Sequence, residues 1–177
     1  MVVHNQRIEE TKTLESLLKN YDYNTNVFQN FKLIIYDNGS LDQKLNFNLP
    51  FNNSYFHNPK NEGLAVAYNY ALSVGIKDNY VWLLLLDQDS CLPENYIYNL
   101  SNDLSLIKAD EKVTAVVSKM AYQGHFFSPS RIIFGGIHRP IDMNITGICP
   151  YEVFAVGSCS LLKMSFFHNL GGFNDFF

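Results

Sequence analysis

Apolar residues recur along the first two thirds of the chain with two periods, one typical of strands and one typical of helices. Continuous apolar runs predict buried strands, and apolar residues every three or four positions predict helices. We predict strands at Met1–Asn5, Phe31–Tyr36, Ser54–Asn58, Val81–Leu86 and Lys112–Lys119. Helices are predicted between them, at Arg7–Tyr21, at Gly63–Val74 and from Pro93 to Ile107.

This alternation of strands and helices predicts an α/β fold. Such units form an open, mostly parallel sheet flanked by helices. Val81–Leu86 is an unbroken apolar run, so we expect it to be a central strand and the most buried one. Beyond Met120, strand-like segments follow without regular helices, and no linker precedes them. We therefore expect one domain over residues 1–177, in which residues 121–177 cover one end of the sheet.

Composition and charge narrow the classes of function. Of the 177 residues, 47% are hydrophobic and 17% are charged, which is typical of a globular protein. The formal net charge of −4 argues against a nucleic-acid partner, because phosphate binding requires a basic surface. The three cysteines form no close pair, which indicates a reducing compartment. The longest apolar run, Tyr80–Leu86, is far shorter than the roughly 20 residues of a membrane span, and we expect a soluble, cytoplasmic protein.

Polar residues follow three of the predicted strands. His4 and Asn5 follow the first strand, residues 37–40 follow the second, and residues 87–90 follow the run at Val81–Leu86. The carboxyl ends of parallel strands lie at one edge of a sheet, and ligands of such folds bind there. Acidic residues after two separate strands therefore predict a binding site at that edge.

Asp87 and Asp89 are separated by one residue, and like charges so close destabilise each other unless a cation lies between them. Residues two apart in an extended segment face the same way, so both carboxylates could bind one ion. Hard oxygen ligands suit Mg²⁺ or Mn²⁺, and such an ion would let an acidic site accept a diphosphate. The alternative is a solvated turn in which Asp89 caps the next helix. The pattern alone leaves both interpretations open.

Five segments stand in the order typical of family 2 glycosyltransferases: VVHN, YDNGS, NEGLAVAYNYAL, LLLLDQDS and GSCSLLKMSFFHNLGGFND. The chain resembles this family over nearly its whole length. It is most similar to the rhamnosyltransferase-type members, which add sugars to bacterial surface polysaccharides. The resemblance implies a GT-A fold, a Rossmann-like nucleotide-sugar-binding domain. It also implies a nucleotide-diphosphate sugar as donor and a divalent metal ion, Mg²⁺ or Mn²⁺.

The resemblance implies roles for individual residues. It places Asn5 beside the nucleotide, Asp37 at the base or ribose, and Asp87 at the ribose or sugar. It assigns the metal ion and the diphosphate to Asp89, with Asp87 as a further metal ligand. The residues implied to bind the nucleotide sugar are Asn5, Asp37, Asn61, Gly63, Asn69, Asp87 and Gln88.

Some of these residues have structural alternatives. Gly63 is equally consistent with a tight entry into a helix, and Asn69 with an ordinary hydrogen-bonding role inside one. Gly157 and Ser158 correspond to the segment that lines the acceptor side in the family.

The resemblance further implies an inverting mechanism, in which a carboxylate base deprotonates the acceptor hydroxyl that attacks the anomeric carbon. In the family this base lies a short way beyond the segment that corresponds to GGFND, whereas this chain ends at Phe177. Asp175 is the last acidic residue and thus the candidate, although we expect the true base to lie beyond the end. We therefore expect a truncated chain, with residues 1–120 as its nucleotide-sugar-binding part and residues 121–177 as an incomplete acceptor-side part.

We expect the chain to transfer a sugar to a saccharide or lipid-linked acceptor in cell-surface polysaccharide synthesis. Deoxythymidine-diphosphate rhamnose is the first donor candidate, because Asp-Gln-Asp-Ser resembles that subgroup, and a uridine-diphosphate hexose is the second. The alternative function is a nucleotide-sugar-binding fragment without turnover. A nucleotidyltransferase is less consistent, because HNQRIEETK lacks a glycine-rich, basic loop. We expect no transmembrane segment and leave peripheral association with the inner face of a membrane open, as well as the oligomeric state.

Overall fold

A computed structural model of the protein describes residues 1–44, 48–107, 111–133, 136–142, 144, 146–149 and 152–174. The α-helices in these ranges are α1 (Lys12–Tyr23), α2 (Leu64–Lys77), α3 (Tyr96–Ile107) and α4 (Met164–Asn169). The strands are β1 (Val2–Val3), β2 (Leu33–Asp37), β3 (Asn53–His57), β4 (Trp82–Leu84), β5 (Ala115–Val117), β6 (Met120–Tyr122), β7 (His125–Ser128), β8 (Ser130–Ile133), β9 (Ile137–Pro140) and β10 (Ser160–Lys163).

Two three-stranded sheets form the centre of the fold. In the first, β1, β2 and β3 are parallel and lie in that order. In the second, β10 lies between β4 and β5 and is antiparallel to both. The Val2 amide donates a hydrogen bond of 3.0 Å to the oxygen of Leu86, so β1 joins the two sheets. The predicted α/β class and the parallel pairing of the first three strands are observed. The predicted open, mostly parallel sheet is not confirmed, because β10 is antiparallel to both β4 and β5.

The run at Val81–Leu86 is not the most buried strand, contrary to the prediction. Only Trp82–Leu84 form β4, and all three are half-buried. Exposure falls along the run, from 58% at Val81 to 2% at Leu86, because the core lies at its carboxyl end beside β1. The most buried long strand is β2, in which only Ile34 is not fully buried.

The predicted helices are observed with shifted boundaries. A 3-10 turn at Ile8–Glu10 precedes α1, which begins after Thr11 because the Thr11 hydroxyl accepts a hydrogen bond of 3.3 Å from the Leu14 amide. Helix α2 begins directly after Gly63, whose φ of +92° favours glycine. Helix α3 begins at Tyr96 rather than at Pro93.

Two other predictions were partly correct. The predicted strand at Ser54–Asn58 is β3, whereas Lys112–Lys119 contains only the short β5. The region beyond Met120 forms two antiparallel hairpins, β6–β7 and β8–β9. None of the helices in the described ranges combines the length and the apolar character that crossing a bilayer requires.

Aromatic rings fill the core at the amino ends of β2 and β3. Phe28, Phe31 and Phe51 lie against one another, with ring centroids 4.9 to 5.6 Å apart. Tyr21 of α1 contacts Phe28 and Phe51 at 5.5 and 5.8 Å. Such pairs add to the free energy gained from burial alone. This cluster closes one end of the sheet and leaves the carboxyl ends of the strands for polar groups.

Asn20 connects α1 to the start of α3 inside the protein. Its side-chain amide donates to the oxygens of Ser16 and Pro93, at 2.9 and 2.8 Å, and its oxygen accepts from the Ile97 amide at 2.9 Å. The Ile97 amide belongs to the first turn of α3, where backbone donors have no partner within the helix. Asn20 is 2% exposed, so water cannot replace these bonds without opening the core.

We expect Asn20→Ala to lower the free energy of unfolding by about 2 kcal/mol, because it leaves the buried Ile97 amide unpaired and removes one of the two hydrogen bonds to the Pro93 oxygen. Urea unfolding followed by circular dichroism measures this loss. Asn99→Ala is the matched control, since Asn99 is exposed on α3 and should change stability by less than about 0.5 kcal/mol. Equal stability of the two variants would contradict the role of Asn20.

Candidate functional site

The polar loops that follow β1, β2 and β4 meet at one edge of the structure. The amide of His4 donates to the side-chain oxygen of Gln88 at 2.7 Å. The imidazole Nδ1 of His4 donates to the carbonyl oxygen of Asn38 at 3.1 Å. One residue after β1 therefore contacts both other loops, and the predicted convergence of the three loops is observed.

Thr13, in the first turn of α1, bonds to the loop at residues 87–90. The side chain of Thr13 is fully buried, and its hydroxyl lies within hydrogen-bonding distance of the oxygens of Asp87 and Ser90. The same hydroxyl accepts from the Ser90 amide at 3.0 Å. The Thr13 amide, in the first turn of α1, donates to the Gln88 oxygen at 3.3 Å. The Thr13 amide has no partner within α1, and the loop provides one.

The two carboxylates of the loop have different environments. Asp87 is half-buried, and its Oδ1 accepts a hydrogen bond of 3.3 Å from the Tyr68 hydroxyl on α2. Burial raises the pKa of Tyr68 well above its ordinary value, and the Asp87 charge raises it further, so the hydroxyl stays protonated and donates. Asp89 is exposed and has no hydrogen-bond or ion-pair partner in the part of the chain that the structure describes.

Asp37 is fully buried, and both of its oxygens have partners within the protein. Oδ1 accepts from the Gly39 amide at 2.8 Å, and Oδ2 accepts from the Tyr55 hydroxyl at 3.0 Å. A Cβ atom on Gly39 would lie 2.8 Å from Oδ1, which explains the glycine in this turn. Asp37 thus shapes the turn after β2, and its predicted contact with a base or ribose stays a prediction.

Asn38, the next residue, has a buried acceptor without a partner. Asn38 is 3% exposed, and its Oδ1 has no hydrogen bond among the described residues. Its amide nitrogen lies 3.5 Å from the oxygen of Gly63, at the start of α2. A buried oxygen without a hydrogen bond is unfavourable, so Oδ1 of Asn38 is available to accept one from a further donor. Asn38 was not among the predicted site residues.

Asn5, Asn61 and Gly63 lie in exposed turns at this edge with left-handed backbone conformations. Their φ angles are +51°, +47° and +92°. Asparagine tolerates this region better than other residues with a Cβ atom. The Asn5 side-chain amide donates to Nε2 of His4 at 2.9 Å, whereas the Asn61 side chain has no partner among the described residues. The three residues lie at the edge where the loops meet, and their predicted nucleotide contacts stay predictions.

Asn69 pairs with the backbone of Phe173. Its amide donates to the Phe173 oxygen at 2.8 Å, and its oxygen accepts from the Phe173 amide at 2.7 Å. A Cβ atom on Gly172 would lie 2.4 Å from the Asn69 oxygen, so the pairing requires glycine there. The Phe173 ring lies 5.2 Å from that of Tyr68. Asn69 therefore has the hydrogen-bonding role inside the protein that was its structural alternative, and its nucleotide contact stays a prediction.

The segment predicted to line the acceptor side lies against the loop at residues 87–90. The hydroxyls of Ser158 and Ser90 form a hydrogen bond of 2.8 Å, and the Asp87 amide donates to the Ser158 hydroxyl at 3.4 Å. Asp175, the candidate base, lies outside the described residues. No group of three or more His, Cys, Asp or Glu side chains within the described ranges is placed to bind a metal ion.

The chain matches a known protein family over nearly its whole length. The sequence model of Glycosyl transferase family 2 matches residues 1–171. The chain belongs to this family. No curated protein and no solved structure matches the chain. As a family 2 glycosyltransferase it is a transferase of GT-A α/β fold, with a nucleotide-sugar donor and an acceptor as its substrates.

In this glycosyltransferase, we expect Gly172→Ala to lower the free energy of unfolding by about 3 kcal/mol. The new Cβ atom displaces Asn69, which removes two hydrogen bonds of about 1 kcal/mol each, and a left-handed alanine costs about 1 to 2 kcal/mol. Urea unfolding measures the loss.

Gly171→Ala is the matched control for this variant. Gly171 has a φ of +89°, close to the +85° of Gly172, but a Cβ atom there would meet nothing within 4 Å. It should therefore lose only the conformational part, about 1 to 2 kcal/mol. An equal loss in both variants would show that the pairing of Asn69 with Phe173 contributes no stability.

Proposed function

We propose that this glycosyltransferase is an inverting, metal-dependent enzyme that transfers a sugar from a nucleotide-diphosphate donor to a saccharide or lipid-linked acceptor. The observation that supports this most is the asymmetry of the carboxylate pair. Asp87 is fixed by Tyr68, whereas Asp89 is exposed and unpaired in the described structure. A rigid loop that presents one free carboxylate suits a ligand of high negative charge only when a cation mediates.

The donor would lie along the edge where the three loops meet. The residues that we propose for the nucleotide sugar are Asn5, Asp37, Asn61, Gly63, Asn69, Asp87 and Gln88. Spare polar groups support this placement, since the Asn38 oxygen and the Asn61 side chain lack partners in the described structure. A cavity of about 20 Å³ between α2 and the sheet is an unsuitable alternative, because this volume holds about one water molecule.

The oxygen ligands at this loop suit Mg²⁺ or Mn²⁺. Both ions prefer oxygen ligands, and Mg²⁺ is usually bound by one or two carboxylates together with substrate phosphates and water. Asp89 and Asp87 would supply such carboxylates, and oxygens of the diphosphate and of water would complete the coordination. When bound, the ion would stabilise the negative charge on the departing nucleoside diphosphate.

The transfer itself is a single displacement. The acceptor oxygen forms a bond to the anomeric carbon while the bond from that carbon to the diphosphate oxygen breaks, and the hydroxyl proton passes to a carboxylate base. Tyr68 keeps Asp87 oriented towards the donor, and Ser158 and Ser90 link the acceptor-side segment to the same loop. Asp175 remains the candidate base within this chain.

We further propose a donor sugar and a pathway. Deoxythymidine-diphosphate rhamnose is the first donor and a uridine-diphosphate hexose the second, on the resemblance of residues 87–90 to the rhamnosyltransferase-type members. The acceptor would belong to cell-surface polysaccharide synthesis at the inner face of the membrane. The three cysteines are free in the structure, which supports a reducing compartment such as the cytoplasm.

The test of the proposed function is metal-dependent binding of nucleoside diphosphate. We expect titration calorimetry with deoxythymidine and uridine diphosphates to show affinity in Mn²⁺ or Mg²⁺ that a chelator abolishes. Asp89→Asn should weaken this affinity at least about tenfold, equivalent to about 1.4 kcal/mol. Asp87→Asn should weaken it less, because Asp89 is the proposed direct ligand.

Asp103→Asn is the control for these variants, because Asp103 is an exposed carboxylate within α3 and outside the loop. It should bind as the parent protein does. Metal-independent binding, or an Asp89→Asn protein with parental affinity, would leave the pair as a solvated turn. Metal-dependent binding without transfer to any acceptor would instead favour the nucleotide-sugar-binding fragment without turnover.

Tyr68→Phe tests whether the orientation of Asp87 matters for binding. The variant keeps the ring that contacts Phe173 and removes the hydroxyl that donates to Asp87. We expect the metal-dependent nucleotide affinity to fall about threefold to fivefold, a loss of about 1 kcal/mol that is typical of one hydrogen bond.

Tyr70→Phe is the matched control on the same helix. The Tyr70 ring stacks on Phe56 at 4.4 Å, and its hydroxyl has no partner among the described residues. This variant should bind nucleotide as the parent does. Parental or tighter binding by Tyr68→Phe would reduce the role of Tyr68 to packing.

A further inference from the structure

The two hairpins β6–β7 and β8–β9 expose large apolar side chains to solvent. Three of them are more than half exposed, namely Tyr122 at 69%, Ile132 at 60% and Ile137 at 61%. The exposed large apolar residues of these hairpins are Tyr122, Phe126, Phe127, Ile132, Ile133 and Ile137. We call the face of β8 and β9 that carries Arg131, Ile133, Ile137 and Arg139 the hairpin surface. Exposed apolar side chains grouped on one face of a hairpin favour an interaction site there.

Strand register places positive charge beside these apolar side chains. In the β8–β9 hairpin, Arg131 lies directly opposite Arg139, and Ile133 lies directly opposite Ile137. Residues two apart in a strand share a face, so the two arginines and the two isoleucines occupy one face of the hairpin. All four side chains are exposed. This face therefore combines two guanidinium groups with apolar surface.

The charge of the surrounding segment is opposite to that of the chain as a whole. The formal net charge of the protein is −4, yet no acidic residue occurs between Glu111 and Asp142. That segment contains the basic residues Lys112, Lys119, Arg131 and Arg139. The segment that includes the hairpin surface is thus basic in sequence on a protein that is acidic as a whole. Lys112, Lys119 and Arg131 already have interactions within the protein, so Arg139 is the cation of this surface on which binding of an anion depends.

We propose that the hairpin surface binds the surface of an anionic lipid bilayer. Lipid phosphates match the guanidinium group of Arg139, and the side chains of Ile133 and Ile137 enter the boundary between headgroups and acyl chains. Basic residues near such a surface each add about 1 kcal/mol of attraction, equivalent to about fivefold in affinity.

A second copy of the chain fits this surface less well. In a two-fold dimer the same patch meets itself, so each copy would bring its arginines towards those of the other. Like charges brought together in this way oppose association. An acidic protein surface would bind Arg139 but offers no apolar contact for Ile133 and Ile137.

The hairpin surface is connected to the acceptor side of the site. Ser130 of β8 and Phe154 exchange two backbone hydrogen bonds, of 2.8 and 2.7 Å, and the Val156 amide donates to the Ser128 hydroxyl at 3.1 Å. Gly157 and Ser158 follow directly and lie against the loop at residues 87–90. Membrane binding goes beyond the proposed transfer reaction and does not depend on it, although it would bring a lipid-linked acceptor near this segment.

The experiment is co-sedimentation with vesicles of pure phosphatidylcholine and with equimolar phosphatidylcholine and phosphatidylglycerol. We expect binding to the anionic vesicles that falls with rising salt, and little binding to the neutral ones. Arg139→Gln should weaken binding about fivefold, the contribution of one basic residue. Arg139→Lys should bind as the parent does, and Ile137→Ser should weaken binding at every salt concentration because it removes apolar contact.

Matched controls separate this surface from general effects. Lys77→Gln removes an exposed charge on α2, and Leu106→Ser removes an exposed apolar side chain on α3. Both should bind vesicles as the parent does, and all variants should keep the parental circular dichroism and nucleotide affinity. Intact nucleotide binding with lost vesicle binding separates the two proposals.

Three results would overturn membrane binding. The first is no sedimentation with anionic vesicles, or equal sedimentation with neutral ones. The second is a lipid-free dimer in multi-angle light scattering that Ile137→Ser dissociates, which would assign the surface to a second copy. The third is binding to poly-glutamate without binding to vesicles, which would assign it to an acidic protein.

Discussion

A strand of two residues connects the two sheets, and the position of every loop at the functional edge depends on it. Val3 is fully buried, and β1 pairs with β2 on one side while the Val2 amide bonds to Leu86 on the other. These bonds align β1, β2 and the run that ends at Leu86 side by side. The loops that follow the three segments therefore begin next to one another. His4 can then contact both neighbouring loops. A shift in the register of β1 by one residue would separate the loops and reverse the faces of both valines.

Buried hydroxyls, rather than charges, keep the acidic loop in place. Thr13 and Ser158 contact the loop at residues 87–90 from two sides, and the Tyr68 hydroxyl contacts Asp87 from a third. A lysine or arginine in these positions would neutralise the loop and compete with a cation. Neutral donors leave the negative charge of Asp87 and Asp89 available while they limit the motion of the backbone. This is a physical reason for a site rich in Ser, Thr and Tyr beneath two carboxylates.

The sequence predicted those features that depend on neighbours along the chain. The strands β2 and β3 and the helices α1 and α2 follow from local periodicity, and the meeting of the loops follows from parallel pairing. The burial of Val81–Leu86 was predicted wrongly, since it depends on which end of the run faces the core. Thr13 and Tyr68 were not predicted, because no local pattern marks a hydroxyl whose partner is distant. Thr13 lies 74 positions from Asp87, and only the folded chain reveals that contact.

Two adjacent residues of α2 serve two distant parts of the sequence. Tyr68 bonds to Asp87, and Asn69 pairs with Phe173, which is 104 positions away. The Phe173 ring in turn contacts Tyr68. Substitutions at these positions share partners, so their effects should not add, and a change tolerated at one depends on the residue at the other. The loop at residues 87–90 and the segment at Phe173 therefore depend on the same turn of α2, so a single substitution in that turn changes the support of two distant parts of the chain.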